Sequence, residues 1–168
     1  MEIQEELYRE TKLMEPILRM HKLIAGEDDL KANTLLAVVV QYITDNYQGQ
    51  VLSPADVQKI IRAVLLREED GKYFAMYLRN ELQVKLIGWL MLLAADLPIT
   101  LEQLGDISAD FDAKLAEQPC LSLTAEQVLA MARSLVEGLE PELWQRMELN
   151  EAYYLTELNI LLQPGIER

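Results

Sequence analysis

Between Lys85 and Asp96 lie ten residues, LIGWLMLLAA from Leu86 to Ala95, that are all apolar or glycine, in a chain of 168 residues with a formal net charge of −13. Such a run has three destinations: a bilayer, a ligand pocket or the protein's own interior. A helix that crosses a bilayer needs about 20 predominantly apolar residues, whereas here Lys85 precedes the run and Asp96 and the helix-stopping Pro98 follow it. The segment is too short for membrane insertion. A second run, LLAVVVQYI from Leu35 to Ile43, is cut in the same way by Gln41 and then Asp45. Two helices that are apolar nearly all round are expected at the centre of a helical bundle, where neighbours cover them from several sides.

Helix signals recur along the chain. Ile3, Leu7, Met14, Ile17, His21 and Ile24 advance in steps of three and four with only Glu10 breaking the stripe, which predicts an amphipathic helix, kinked or split near Pro16 and closed by Gly26 in a left-handed conformation. The next helix is expected from about Asp29 to Tyr47, because length and setting outweigh the local strand preference of Val38, Val39 and Val40. Ser53 as N-cap and Pro54 at the first helical position then open a helix with Val57, Ile60, Ile61, Val64 and Leu65 on one face, ending in Arg67 to Asp70 and Gly71. From about Lys72 to Asp96 a long helix carries the apolar run as its second half.

Two capping boxes follow, Thr100 with Gln103 and Thr124 with Gln127. The first opens a helix expected to break near Gly105 and restart at Ser108; the second opens one that turns Val128, Met131, Ala132, Leu135 and Val136 inward and stops at Gly138. A last helix is expected from near Pro141 to about Leu162, with Leu143, Met147, Tyr154, Leu155, Leu158 and Leu162 along one side, before Pro164. The fold class is therefore all-α: a single-domain bundle of six to eight helices around a central apolar helix. A chain of this length folds as one domain that buries roughly 70% of its unfolded surface. LSPADVQKIIRAVL from Leu52 and LTAEQVLAMARSLV from Leu123 echo each other, down to Arg62 and Arg133, as any two capped amphipathic helices would.

Most chemistry lacks its residues. His21 is the only histidine and lies on an apolar stripe, where a structural role is expected. Cys120 is the only cysteine, so internal disulfides and multi-cysteine zinc sites are excluded, and a buried inert thiol is expected. No serine sits in a G-x-S-x-G elbow, no Gly-rich loop is placed to cradle phosphate, and no Glu-x-x-His pair exists for a di-iron site. No cofactor is expected, and an enzyme working through carboxylates alone is the catalytic alternative. The charged start, MEIQEELYRE, does not read as a secretory leader, and a cytoplasmic location is the expectation.

Charge points to a kind of partner. Fifteen basic residues face twenty-eight acidic ones, which opposes the counterion displacement that nucleic-acid binding requires. From Asp96 onward there are 14 Asp and Glu against 4 Lys and Arg. Glu102, Asp106 and Asp110 recur at every fourth position there, a carboxylate row with Asp112 nearby, suited to docking a basic protein segment or, with ligands from a further turn, to holding a weak divalent cation. The aromatic clusters Tyr73, Phe74, Tyr77 and Trp144, Tyr153, Tyr154 are expected mainly in the core.

AADLPITLEQL, Ala94 to Leu104, resembles the junction of the tellurite-resistance TerB-like helical domains, in which a hydrophobic helix ends in Ala-Asp-Gly and a short loop leads to Ile, Ser or Thr, and Glu. Asp96, Ile99, Thr100 and Glu102 match in type and spacing, and Leu97 and Pro98 depart from the pattern. The resemblance implies a helical domain associated with metal or stress, with a metal role for Asp96. From the residues themselves, the expected function is non-enzymatic: an acidic adaptor, small regulator or chaperone-like factor that binds a protein partner, a basic one if charge decides.

Overall fold

In a computed structural model, described for residues 2–68, 71–119 and 122–162, Thr100 and Thr124 cap helices as their spacing predicts, each hydroxyl accepting from the backbone N–H three residues on. The described residues form eight helices and no strand. They are α1 (Glu2–Ala25), α2 (Asp29–Asn46), α3 (Pro54–Leu66), α4 (Lys72–Leu93), α5 (Leu101–Ala116), α6 (Ala125–Leu139), α7 (Pro141–Glu148) and α8 (Glu151–Leu162). The fold is all-α. The chain divides into two units between Tyr77 and Leu78, inside α4. No helix among the described residues is long and apolar enough to cross a membrane.

In the first unit α1, α2 and α3 pack on one another. Its interior is formed by Ile17, Met20 and Ile24 of α1, Ala32, Leu35 and Val39 of α2, and the stripe Val57, Ile60, Ile61, Val64 and Leu65 of α3. Ser53 and Asp56 close a reciprocal capping box at the start of α3, and Gly71 has the left-handed φ of +80° that a residue with a Cβ adopts only under strain. His21 is half-buried and pairs through Nε2 with Asn33 Oδ1 at 2.8 Å, a structural link between α1 and α2. Arg62, on the stripe's side of α3, is buried, whereas Arg133 of the second unit is exposed. The two arginines of the sequence echo thus occupy opposite environments.

In the second unit α6 packs on α5, α7 and α8. α5 contributes Leu104, Ile107, Phe111 and Leu115 to the interior, α6 contributes Ala125, Val128, Leu129, Ala132 and Val136, and Leu143, Trp144, Met147, Tyr154, Leu158 and Leu161 come from α7 and α8. The second part of α4 joins them through Leu82, Leu86, Trp89 and Leu90. The Trp89 ring lies 4.3 Å from that of Tyr154, and Lys85 pairs with Glu157 at 3.2 Å.

Several expectations are corrected. α1 runs through Pro16 unsplit; proline removes one backbone hydrogen bond, and the buried Ile17, Met20 and Ile24 just beyond it hold the helix. Gly26 is not left-handed: α1 ends in right-handed turns in which Glu27 and Asp28 donate to the Ile24 carbonyl. α5 is continuous across Gly105, since a glycine costs an interior helical position only about 1 kcal/mol and Leu104 and Ile107 are packed on either side. α6 ends at Leu139, next to Gly138 as expected. The last helix is two, because the chain breaks at Leu149 and Asn150, where the Asn150 carbonyl accepts from Tyr154 and starts α8.

The apolar helices are also less covered than expected. Val38 and Val40 of α2 and Val84, Met91 and Leu92 of α4 are exposed, the last to 80%. Met14 is exposed, Met131, Leu135, Leu155 and Leu162 are half-buried, and within the two aromatic clusters Tyr153 alone is exposed. Cys120, Asp70 and Pro164 lie outside the described residues, as do the side chains of Ile3, Leu7 and Glu10.

Candidate functional site

The carboxylate row stands on α5 because the cap sets that helix's start and the core sets its rotation. Thr100 Oγ1 accepts from the Gln103 N–H at 3.1 Å, and Gln103 Oε1 accepts from the Thr100 N–H at 2.9 Å. With Leu104, Ile107, Phe111 and Leu115 inward, a helix of 3.6 residues per turn must carry Glu102, Asp106 and Asp110 on its outer side. All three are exposed. None of them makes a side-chain hydrogen bond or ion pair to another described residue, and the structure brings them together as one strip. Asp112 is turned elsewhere and faces Arg79 of α4 at 3.5 Å.

Among the described residues no cation makes an ion pair with the row, because those of the second unit are engaged elsewhere. Residues 78–163 contain 14 Asp and Glu against 5 Lys and Arg. Arg79 faces Asp112, Lys85 pairs with Glu157, Arg133 with Glu137 at 2.9 Å, and Arg146 with Asp96 and Glu142. Lys114, one turn beyond Asp110, instead donates to Ser134 Oγ at 3.4 Å. The row is therefore not neutralised by an ion pair from a described residue of the unit, and Lys114 is the one cation of the unit that stands within a helical turn of it in sequence.

Asp96, the residue with an implied metal role, is already bound to a cation of the chain. Arg146 Nη1 donates to Asp96 Oδ1 at 2.5 Å and to the Leu93 carbonyl at 2.8 Å, while Nη2 donates to Asp96 Oδ2 at 3.2 Å. The guanidinium thereby ties the end of α4 to α7 and holds the Asp96 carboxyl below its ordinary range. Among the described residues no group of three or more His, Cys, Asp or Glu is placed to hold a metal ion. A carboxylate whose folded pKa is depressed contributes stability above its unfolded pKa, about 3.9 for Asp, and that contribution is lost as pH falls through the folded value. The wild-type chain should therefore be more stable than Asp96→Asn above pH 4, and the gap between the two chemical-denaturation curves should close on acidification as the carboxylate is protonated. A gap that stays constant from pH 7 to pH 2 would show that the ion pair is not formed in solution.

Two concavities accompany the row in the second unit. One is a groove of about 480 Å³ along α4, lined by Asn80, Gln83, Val84, Ile87, Gly88 and Met91 with Ser108 of α5. Gln83 Nε2 donates to the Ser108 carbonyl at 3.2 Å and ties its floor together. The other is a cleft of about 120 Å³ beside Trp144, over whose ring the Arg133 guanidinium sits 5.0 Å from the centroid; Arg133 already fills the place of a cationic ligand there. The groove was not legible from the sequence, since Ile87, Gly88 and Met91 belong to the run read as core. No protein-family model, curated protein or solved structure matches the chain.

Proposed function

We propose that the chain is a non-enzymatic protein-binding module, an acidic adaptor, small regulator or chaperone-like factor, that docks a basic segment of a protein partner on the outer face of α5. The observation that supports this reading is the row itself: Glu102, Asp106 and Asp110 stand exposed on one strip with no ion pair to a described residue, while four of the second unit's five cations pair with other carboxylates. The metal-associated reading is less well supported, because Arg146 occupies Asp96. The same charge distribution disfavours nucleic acid as the partner.

The test is binding of a synthetic amphipathic Lys/Leu helical peptide, followed by fluorescence anisotropy over a range of salt concentrations. Replacing Glu102, Asp106 and Asp110 together by Gln should weaken the complex about three- to hundredfold, from about 0.2 to 1 kcal/mol for each exposed charge pair. Association should slow and the salt dependence flatten. The fold should persist, because removing like charges at i, i+4 relieves a repulsion of a few tenths of a kcal/mol. Unchanged affinity and an unchanged salt slope would return the row to a solvated helix face.

A further inference from the structure

We infer that the groove along α4 seats the apolar side of a basic amphipathic helix from another protein, whose Lys and Arg side chains cross α5 to the carboxylate row. This rests on the proposed basic partner and says how it is held. The outward residues of α4, Val84, Gly88, Met91 and Leu92, follow the i, i+4, i+7, i+8 spacing by which one helix lays a stripe into another. Val84, Met91 and Leu92 are 49%, 52% and 80% exposed, and no acidic or basic side chain lines the groove that Val84 and Met91 border. An uncharged apolar strip on a unit with 14 acidic and 5 basic residues is where the partner's apolar anchors go without confronting a charge.

Charge complementarity selects the occupant. A second copy of the chain would bring its own charge of −13 against the same field and be repelled, whereas a cationic helix is attracted along its whole length. The route from groove to carboxylates is low. On a helix of 3.6 residues per turn, Gly105 and Ala109 lie between Ser108, which borders the groove, and Glu102 and Asp106, which belong to the row. Gly105 and Gly88 are both open: a Cβ built on either would meet no atom within 4 Å. A Lys or Arg side chain from a helix seated at Gly88 therefore passes over Gly105 with nothing in its way.

That openness also supplies variants that keep the fold. Gly88→Gln and Gly105→Gln place a side chain where space is free, at helical positions that glycine disfavours, so both variants should melt at or above the wild-type temperature. For the full chain and the amphipathic Lys/Leu peptide, Gly88→Gln should weaken binding about tenfold with the salt slope retained, because the carboxylates are intact. Gly105→Gln should weaken it and flatten the slope, and a Lys/Ser peptide of equal charge should bind at least tenfold more weakly than the Lys/Leu one. If the triple carboxylate variant weakens binding while Gly88→Gln does not, or if the Lys/Ser peptide binds as tightly, the groove is not the seat and the basic-partner reading stands without it. If the wild-type chain binds neither peptide, both fail. Sedimentation showing a dimer that tightens with salt and is lost in Gly88→Gln would overturn the inference in favour of a second copy.

Discussion

Phe111→Ala is expected to lower the free energy of unfolding by about 3 to 5 kcal/mol, the range for removing a buried aromatic and leaving part of its volume empty. Phe111 is 1% exposed and lies at the middle of the inward stripe of α5, between Ile107 and Leu115. The same stripe fixes which way Glu102, Asp106 and Asp110 point, so loosening it disperses the row as well as the core. Urea unfolding gives the stability term, and amide exchange of α5 reports whether the helix itself loosens. Binding of the Lys/Leu peptide should weaken in the same variant at temperatures where it remains folded. A cost below about 1 kcal/mol would mean that α5 is held by its cap and its neighbours' backbones, contrary to the packing described here.

Leu90→Ala should cost about 2 to 5 kcal/mol for the same reason. Leu90 is 0% exposed, and beside it Trp89 is 9% exposed with its ring tilted against that of Tyr154. Leu92, two positions on, is 80% exposed, and its replacement by Ala should stay within about 0.5 kcal/mol. The contrast separates the two sides of α4 within one short segment. Trp89 emission, read with Trp144 replaced by Phe, should be blue-shifted and resist quenching by iodide. Ile61→Ala is the companion in the first unit, where Ile61 is 0% exposed. A single cooperative domain is the proposal here, in which Leu90→Ala and Ile61→Ala move one common transition. Two transitions, each displaced by its own variant, would divide the chain into separately folding units.

The parts of the fold that were legible in the sequence are those decided within a few residues. Ser53 with Pro54, Thr100 with Gln103 and Thr124 with Gln127 announce helix starts because the cap's hydrogen bonds close over three residues. The buried stripe of α3 follows directly from its spacing. Breaks were harder to read. Pro16 and Gly105 carry local penalties of about 1 to 3 kcal/mol, and packing of the flanking side chains outweighs them, whereas the break at Leu149 and Asn150 occurs where no proline or glycine marks it.

The row was legible as a spacing, since residues four apart share a helix face whatever the helix packs against. The partner of Lys114, four residues on from Asp110, was not legible, because only the approach of α6 gives its ammonium the Ser134 hydroxyl. Composition and periodicity by themselves determined that this chain is helical and acidic, with a single histidine and a single cysteine. Tertiary structure decided which side of each apolar helix is covered. Burial depends on which neighbours arrive, and the run from Leu86 to Ala95 reads alike all round while its partners lie on one side. Leu90 is therefore core, and Met91 and Leu92 are surface.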